Sequence, residues 1–152
     1  MKKIVNLLFE ASFLKKIPRS GFQFLGMGHE SVAEHSFTAT FIGWGLAQVV
    51  PEADPARLLP LCVLRDLPEA RTGDLNYVQK AYVAPAENKA LAYLADNLPM
   101  GTAILVLLAE FYAAESLEAR LAHDAEQLAF LLELTLLADQ GDRPPDIWIP
   151  HV

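Results

Sequence analysis

The chain is poor in cysteine, in positive charge and in long uninterrupted apolar runs, and each shortage removes a class of protein. Cys62 is the only cysteine among 152 residues, so no intramolecular disulfide can form. Its place between Leu61 and Val63 suits a buried thiol, and a reducing, cytoplasmic location is expected. Lysine and arginine number 12 against 19 acids, a formal net charge of −7. Phosphate backbones would be repelled on average, which argues against a general nucleic-acid binder; an anionic small molecule could still bind where positive charge is concentrated. The longest strongly apolar stretch, AILVLLAEFYAA at 103–114, contains Glu110 and falls well short of the roughly 20 residues that a membrane span needs. The N-terminal run MKKIVNLLFEASFLKK is interrupted by Asn6 and Glu10 and lacks a small-residue cleavage site, so it reads as an amphipathic helix rather than a signal peptide. Alternating strand patterns, internal repeats and low-complexity tracts are likewise missing.

What is present is core-forming material and helix punctuation. A hydrophobic fraction of 53% suffices for one compact domain, expected over residues 1–139, with an irregular tail, QGDRPPDIWIPHV, over 140–152. Ser31-Val-Ala-Glu34 has the spacing of a capping box and predicts a helix from there to about Val50. Asp54-Pro55 predicts a second start, with the aspartate as N-cap and the proline at the first helical position, and Pro60 is expected to bend or delay that helix. Further helices are expected over 85–98, over 99–115 as a nearly wholly buried element, and over 117–139 with Ser116 as a possible cap. The fold class is all-α, a bundle of about six or seven helices.

Within this pattern three polar residues fall on apolar faces. On the last helix Leu117, Leu121, Leu128 and Leu131 mark a stripe that Asp124 completes. Asp66 is in register with Leu59, Cys62 and Val63, and His35 with Val32, Ala39 and Ile42. A buried acid or imidazole costs free energy unless it is paired, hydrogen-bonded or bound to a metal. Each alone is more often a satisfied core group; three of metal-ligand type on three helices point to a site. Trp44, beside Phe41, reads as core packing, and His123 as a residue of a more polar side.

The segments ESVAEHSF (30–37), RDLPEARTGD (65–74) and HDAEQLAF (123–130), in that order and spacing, resemble the HD-domain metal-dependent phosphohydrolases, most closely their 5′-deoxynucleotidase branch. The resemblance covers roughly residues 1–137. It implies an HD-domain helical bundle that hydrolyses a small phosphorylated substrate, a nucleoside 5′-monophosphate, with one divalent transition metal such as Mn, Co or Zn, and it implies a homodimer. By resemblance the metal ligands are His35, Asp66 and Asp124, the catalytic acids are Glu69 and Asp74, and Arg19 contacts phosphate, with Phe22 as a loose candidate for an adjoining substrate contact.

The fourth ligand position departs from the pattern, because Arg65 stands where the family has the histidine of its signature pair. A guanidinium stays protonated and offers a metal no lone pair. Arg65 therefore either marks a catalytically silent nucleotide-binding or protein-interaction module, natural or introduced, or points outward while another group such as His29 completes the site. Chemically, a divalent ion would neutralise phosphoryl charge and activate water, Glu69 would serve as general acid or base with Asp74 orienting substrate or water, and Arg19 could bind phosphate bidentately.

Overall fold

The computed structural model describes residues 1–26 and 28–139, and over these the chain is helical, with one antiparallel bridge between Pro18 and Ser31. The all-α expectation holds; the tail expected over 140–152 lies outside the described residues. In order come α1 (Lys2–Phe13), a 3-10 turn (Leu14–Lys16), α2 (Gly21–Leu25), α3 (Val32–Val49), α4 (Pro55–Leu64), α5 (Glu69–Thr72), α6 (Tyr77–Lys80), α7 (Glu87–Ala95), α8 (Gly101–Ala113) and α9 (Leu117–Asp139). No helix among the described residues is long and apolar enough to cross a membrane.

The helix starts follow local chemistry. At α3 the Ser31 hydroxyl accepts the Glu34 N–H at 3.2 Å while the Glu34 carboxylate accepts the Ser31 N–H at 2.7 Å, so two orphan amides are satisfied reciprocally. At α4 the Asp54 carboxylate accepts the Ala56 N–H at 2.9 Å, with Pro55 in the first turn. Pro60 removes one amide from α4 but does not end it, since the helix runs on to Leu64. Ser116 caps α9 by accepting the Ala119 N–H at 3.1 Å.

The centre of the molecule is the packing of α3, α4 and α9 on one another. Leu58, Leu61 and Cys62 of α4 meet Ala119, Leu121, Ala122 and Ala125 of α9, and Phe111 of α8 closes the cluster. The seam of α9 is thus made mostly of alanines, and this corrects the leucine stripe: Leu128 is 43% and Leu131 40% exposed. Small residues win the seam because they let the helix axes approach closely. The same need appears at Gly43 of α3, where a Cβ would lie 2.9 Å from the Cys62 sulfur and 4.0 Å from the Ala125 Cβ.

Two smaller clusters flank this centre. Leu91 of α7 packs with Ile104 and Leu108 of α8 under Leu7 and Leu64, and Phe22 of α2 packs with Leu134, Leu137 and Phe130 near the end of α9. The helix expected to be nearly wholly buried is one-sided instead, with Ile104, Leu108 and Phe111 inward while Leu105, Val106 and Tyr112 are exposed. Trp44 and Phe41 are also exposed, their rings 5.6 Å apart on the outside of α3, so the core-packing expectation for Trp44 is corrected.

The tightest junction is between α7 and α8. A Cβ at Gly101 would lie 2.1 Å from the backbone carbonyl oxygen of Ala95, and backbone cannot swing aside. Gly101→Ala is expected to destabilise the fold by about 1–3 kcal/mol in urea unfolding, in line with other overpacked cores; an unchanged midpoint would contradict this reading of the junction.

Candidate functional site

Where α4 ends, the chain keeps turning, and residues 65–68 are all buried. Arg65 is the C-cap of α4, and its guanidinium, 5% exposed, reaches between α4 and α9. Its Nη2 lies 2.9 Å from Asp66 Oδ2 and its Nη1 lies 2.8 Å from Glu126 Oε1. The Phe111 ring centroid stands 5.9 Å from the guanidinium carbon, and His123 stacks on that same ring with centroids 4.1 Å apart. From α3, the Ser36 hydroxyl donates to Asp66 Oδ2 at 3.0 Å, and His35, fully buried, sits one residue before it. His35 Nδ1 lies 3.5 Å from Glu30 Oε2.

A second set of residues reaches the same place from the other side. The 17–20 segment zips onto 30–32, with the Arg19 N–H donating to the Glu30 carbonyl at 2.8 Å and the Val32 N–H to the Ile17 carbonyl at 2.9 Å. The Ser20 N–H then donates to Asp74 Oδ2 at 2.8 Å across 54 residues of sequence. Arg19 is held between Asp74, 3.7 Å from Nη1, and Glu30, 3.9 Å from Nε. Gly73 takes φ 73°, a left-handed conformation that glycine adopts without a steric penalty, and so lets the chain turn between the helix of Glu69 and Asp74. Arg19, Arg65, Asp66, Glu69, Asp74 and Glu126 all line one cavity of about 430 Å³.

The structure therefore brings together Arg19, Asp66, Glu69 and Asp74 at this cavity, with His35 buried behind it. It does not bring Asp124 there: Asp124 is exposed on α9, and the inward-facing expectation for it is corrected. At 100° per residue, Glu126 falls inside the arc of Ala119, Ala122 and Ala129, whereas Asp124 falls on the opposite face. That alanine spacing was the available signal for Glu126, and it was outweighed by the larger leucines. Phe22 is 5% exposed in the cluster with Leu134 and Leu137, its ring 6.4 Å from Phe130, and is not among the cavity residues. His29 is exposed, and Arg65 is buried, so the arrangement with Arg65 outward and His29 as substitute ligand is not the one adopted.

The expected divalent ion can be tested against these residues. His35 alone has the character of a ligand, being buried with both ring nitrogens lacking a hydrogen-bond partner among the described residues. The two carboxylates that would join it already hold the Arg65 fork, so a cation with no lone pair stands between the would-be donors. Among the described residues no group of three or more His, Cys, Asp or Glu side chains is placed to hold a metal ion. The residues present do not fit the metal.

Burial dominates the electrostatics. It pushes Glu69 up to about 8, reinforced by the charges of Asp66 and Asp74, and Glu30 up to about 7 against the pull of Arg19. It pushes His35 down to about 3, helped by Arg19 and Arg65, so the imidazole is neutral. Burial opposes the charge of Arg65, yet Asp66 and Glu126 hold its guanidinium above its usual value. Burial also pushes the Cys62 thiol up to about 11, which makes it unreactive. Six buried polar atoms without a hydrogen-bond partner among the described residues belong to Glu30, His35, Arg65 and Glu69, a concentration that marks functional sites more than cores.

These shifts have opposite consequences for stability. The folded state holds a proton on Glu69 that the unfolded state releases above about pH 4.5, so this contribution is lost as pH rises towards 8. His35 works the other way, and stability is lost as pH falls from 6.5 towards 3. Glu69→Gln is expected to flatten the decline in urea-unfolding stability between about pH 5 and pH 8. A decline as steep as that of the unsubstituted chain would contradict the protonated state of Glu69.

A family model described as HD domain matches residues 11–152. Among solved structures, a conserved hypothetical protein from Pyrococcus furiosus is 32% identical with a TM-score of 0.80, covering 91% of this chain and 81% of its own. A protein from Pyrococcus horikoshii OT3 is 26% identical with a TM-score of 0.79 at the same coverage. A predicted metal-dependent phosphohydrolase from Magnetospirillum magnetotacticum MS-1 is 26% identical with a TM-score of 0.72, covering 87% of this chain and 70% of its own. A comparison with curated proteins gives no match. With the family model spanning nearly the whole chain and the bundle shared with these structures, the protein belongs to the HD domain family.

Proposed function

We propose that this chain binds a small phosphomonoester, a nucleoside 5′-monophosphate, in the cavity lined by Arg19, and that it stands among the phosphohydrolases by descent of that site. The observation that carries the reading is the link from Ser20 to Asp74, which sets Arg19, Asp74 and Glu69 around one cavity from distant parts of the chain. Arg19 offers a permanent, fork-shaped charge to phosphoryl oxygens. Glu69, pushed up to about 8 by burial, holds its proton near neutrality and is in the form that donates to a leaving oxygen. Asp74 positions Arg19 and the backbone beside it. The cavity, about 430 Å³, is of the size that takes small ligands, and Tyr77, Tyr112 and Phe130 at its walls supply aromatic surface for a base.

Metal dependence is predicted for the Magnetospirillum protein and is not carried over, because the residues here do not fit the ion. Without a metal to make hydroxide at neutral pH, the nucleophile is ordinary water, and turnover is expected to be slow or absent. A second reading, a silent nucleotide-binding module, is favoured by the same observation on Arg65.

Calorimetric titration with a panel of nucleoside monophosphates, run beside a phosphate-release assay, tests both. Binding of at least one of them is expected, weakened by Arg19→Ala roughly tenfold or more, as for loss of a charged hydrogen bond. No binding by any phosphomonoester, or binding that Arg19→Ala leaves unchanged, would contradict the reading. Measurable release by the unsubstituted chain selects the enzyme, and binding without release selects the module.

A further inference from the structure

We infer that Arg65 and Glu126 form a built-in cation clamp that takes the place of a divalent metal at the centre of this bundle, so that the chain folds and keeps its cavity without any metal. The inference concerns the scaffold and stands whether or not a phosphomonoester binds.

Three observations carry it. First, the guanidinium sits where the three central helices meet. Its side chain is 5% exposed, it belongs to the end of α4, and it is gripped by Asp66 of the same turn and by Glu126 of α9, while α3 contributes the Ser36 hydroxyl to the same Asp66 oxygen. A metal in such a bundle ties helices together through their carboxylates, and the fork ties α4 to α9 by the same groups.

Second, the two carboxylates are partly buried, Asp66 with 5% and Glu126 with 24% of its side chain exposed. Two such carboxylates near each other keep their charges only beside a cation. Arg65 supplies one covalently, as ion-pair contacts of 2.8 Å from Nη1 to Glu126 and 2.9 Å from Nη2 to Asp66, the latter by charge rather than by an aligned hydrogen bond. Third, Phe111 offers its ring 5.9 Å from the guanidinium carbon and is itself stacked by His123, whose Nε2 lies 3.0 Å from the Phe111 carbonyl. The Phe111 ring suits a delocalised cation and has no lone pair to offer an ion.

The test uses the full chain purified without chelator. Elemental mass spectrometry is expected to find metal well below stoichiometry. Thermal unfolding is expected to give the same midpoint with EDTA and with added Mn²⁺, Co²⁺ or Zn²⁺, since an ion that bound only the folded state would raise it. Near-stoichiometric metal, or a midpoint that rises with any of these ions, would overturn the inference.

Variants test the clamp itself. Arg65→Met is expected to lower the midpoint by at least ~6 °C, as expected when one partner of a buried ion pair is removed. Combining Arg65→Met with Glu126→Gln is expected to cost less than the sum of the two single changes, because they break one interaction. Strict additivity would overturn the clamp, and if a single variant does not fold, the metal content and melting of the unsubstituted chain decide. Arg65→His, which puts an imidazole beside Asp66, is expected to make the midpoint respond to added metal.

Discussion

The structure is organised around a buried fork, the Arg65 guanidinium held by Asp66 on one side and Glu126 on the other. Taking three charged groups out of water is unfavourable unless each finds partners of good geometry, and the loss of any one leaves the others uncompensated, at a typical cost of about 3–5 kcal/mol. That constraint fixes much around it. It places the end of α4 against α9, requires the seam of α9 to be small enough for the acid to reach in, and draws in Ser36 from α3 as a further donor. The alanines at 119, 122, 125 and 129 and the glycine at 43 are therefore part of the electrostatic arrangement as well as of the packing.

Around the fork, burial separates groups into those that keep charge and those that give it up. Arg65 keeps its charge because two carboxylates answer it. His35, with Arg19 and Arg65 for neighbours and no hydrogen-bond partner among the described residues, stays neutral. Glu30 and Glu69 move towards the neutral acid. The cavity is consequently less negative near neutral pH than its number of acids implies, which is what an anionic ligand held by Arg19 requires. A chain of net charge −7 can in this way hold a local pocket suited to phosphate.

Much of the helical frame could be read from the chain because helix starts are local chemistry. The Ser31/Glu34 box and the Asp54-Pro55 start form as their spacing predicts. The short helices α2, α5 and α6 were not legible, since four or five residues show no periodicity and depend on surroundings for their stability. Asp66, Glu69, Asp74 and Arg19 line one cavity; only Asp66 carried a local signal, its register with apolar neighbours, and the other three were named by the family resemblance. The leucine spacing of α9 points Asp124 inward, but close packing of three helices selects small side chains for the buried face, which leaves Asp124 exposed and turns Glu126 inward. Arg65 was recognisable as out of pattern, but its partner was not, because an ion pair between residues 61 positions apart has no local signature.

The Arg65 guanidinium lies between Asp66 and Glu126, in the place proposed here for a metal's charge. Crystals grown with excess Mn²⁺ and measured at a wavelength where manganese scatters anomalously test it most directly. No anomalous peak is expected within bonding distance of His35, Asp66 or Glu126, and density for the Arg65 fork is expected between the two carboxylates. An anomalous peak bonded to those side chains, with Arg65 displaced from between them, would contradict it.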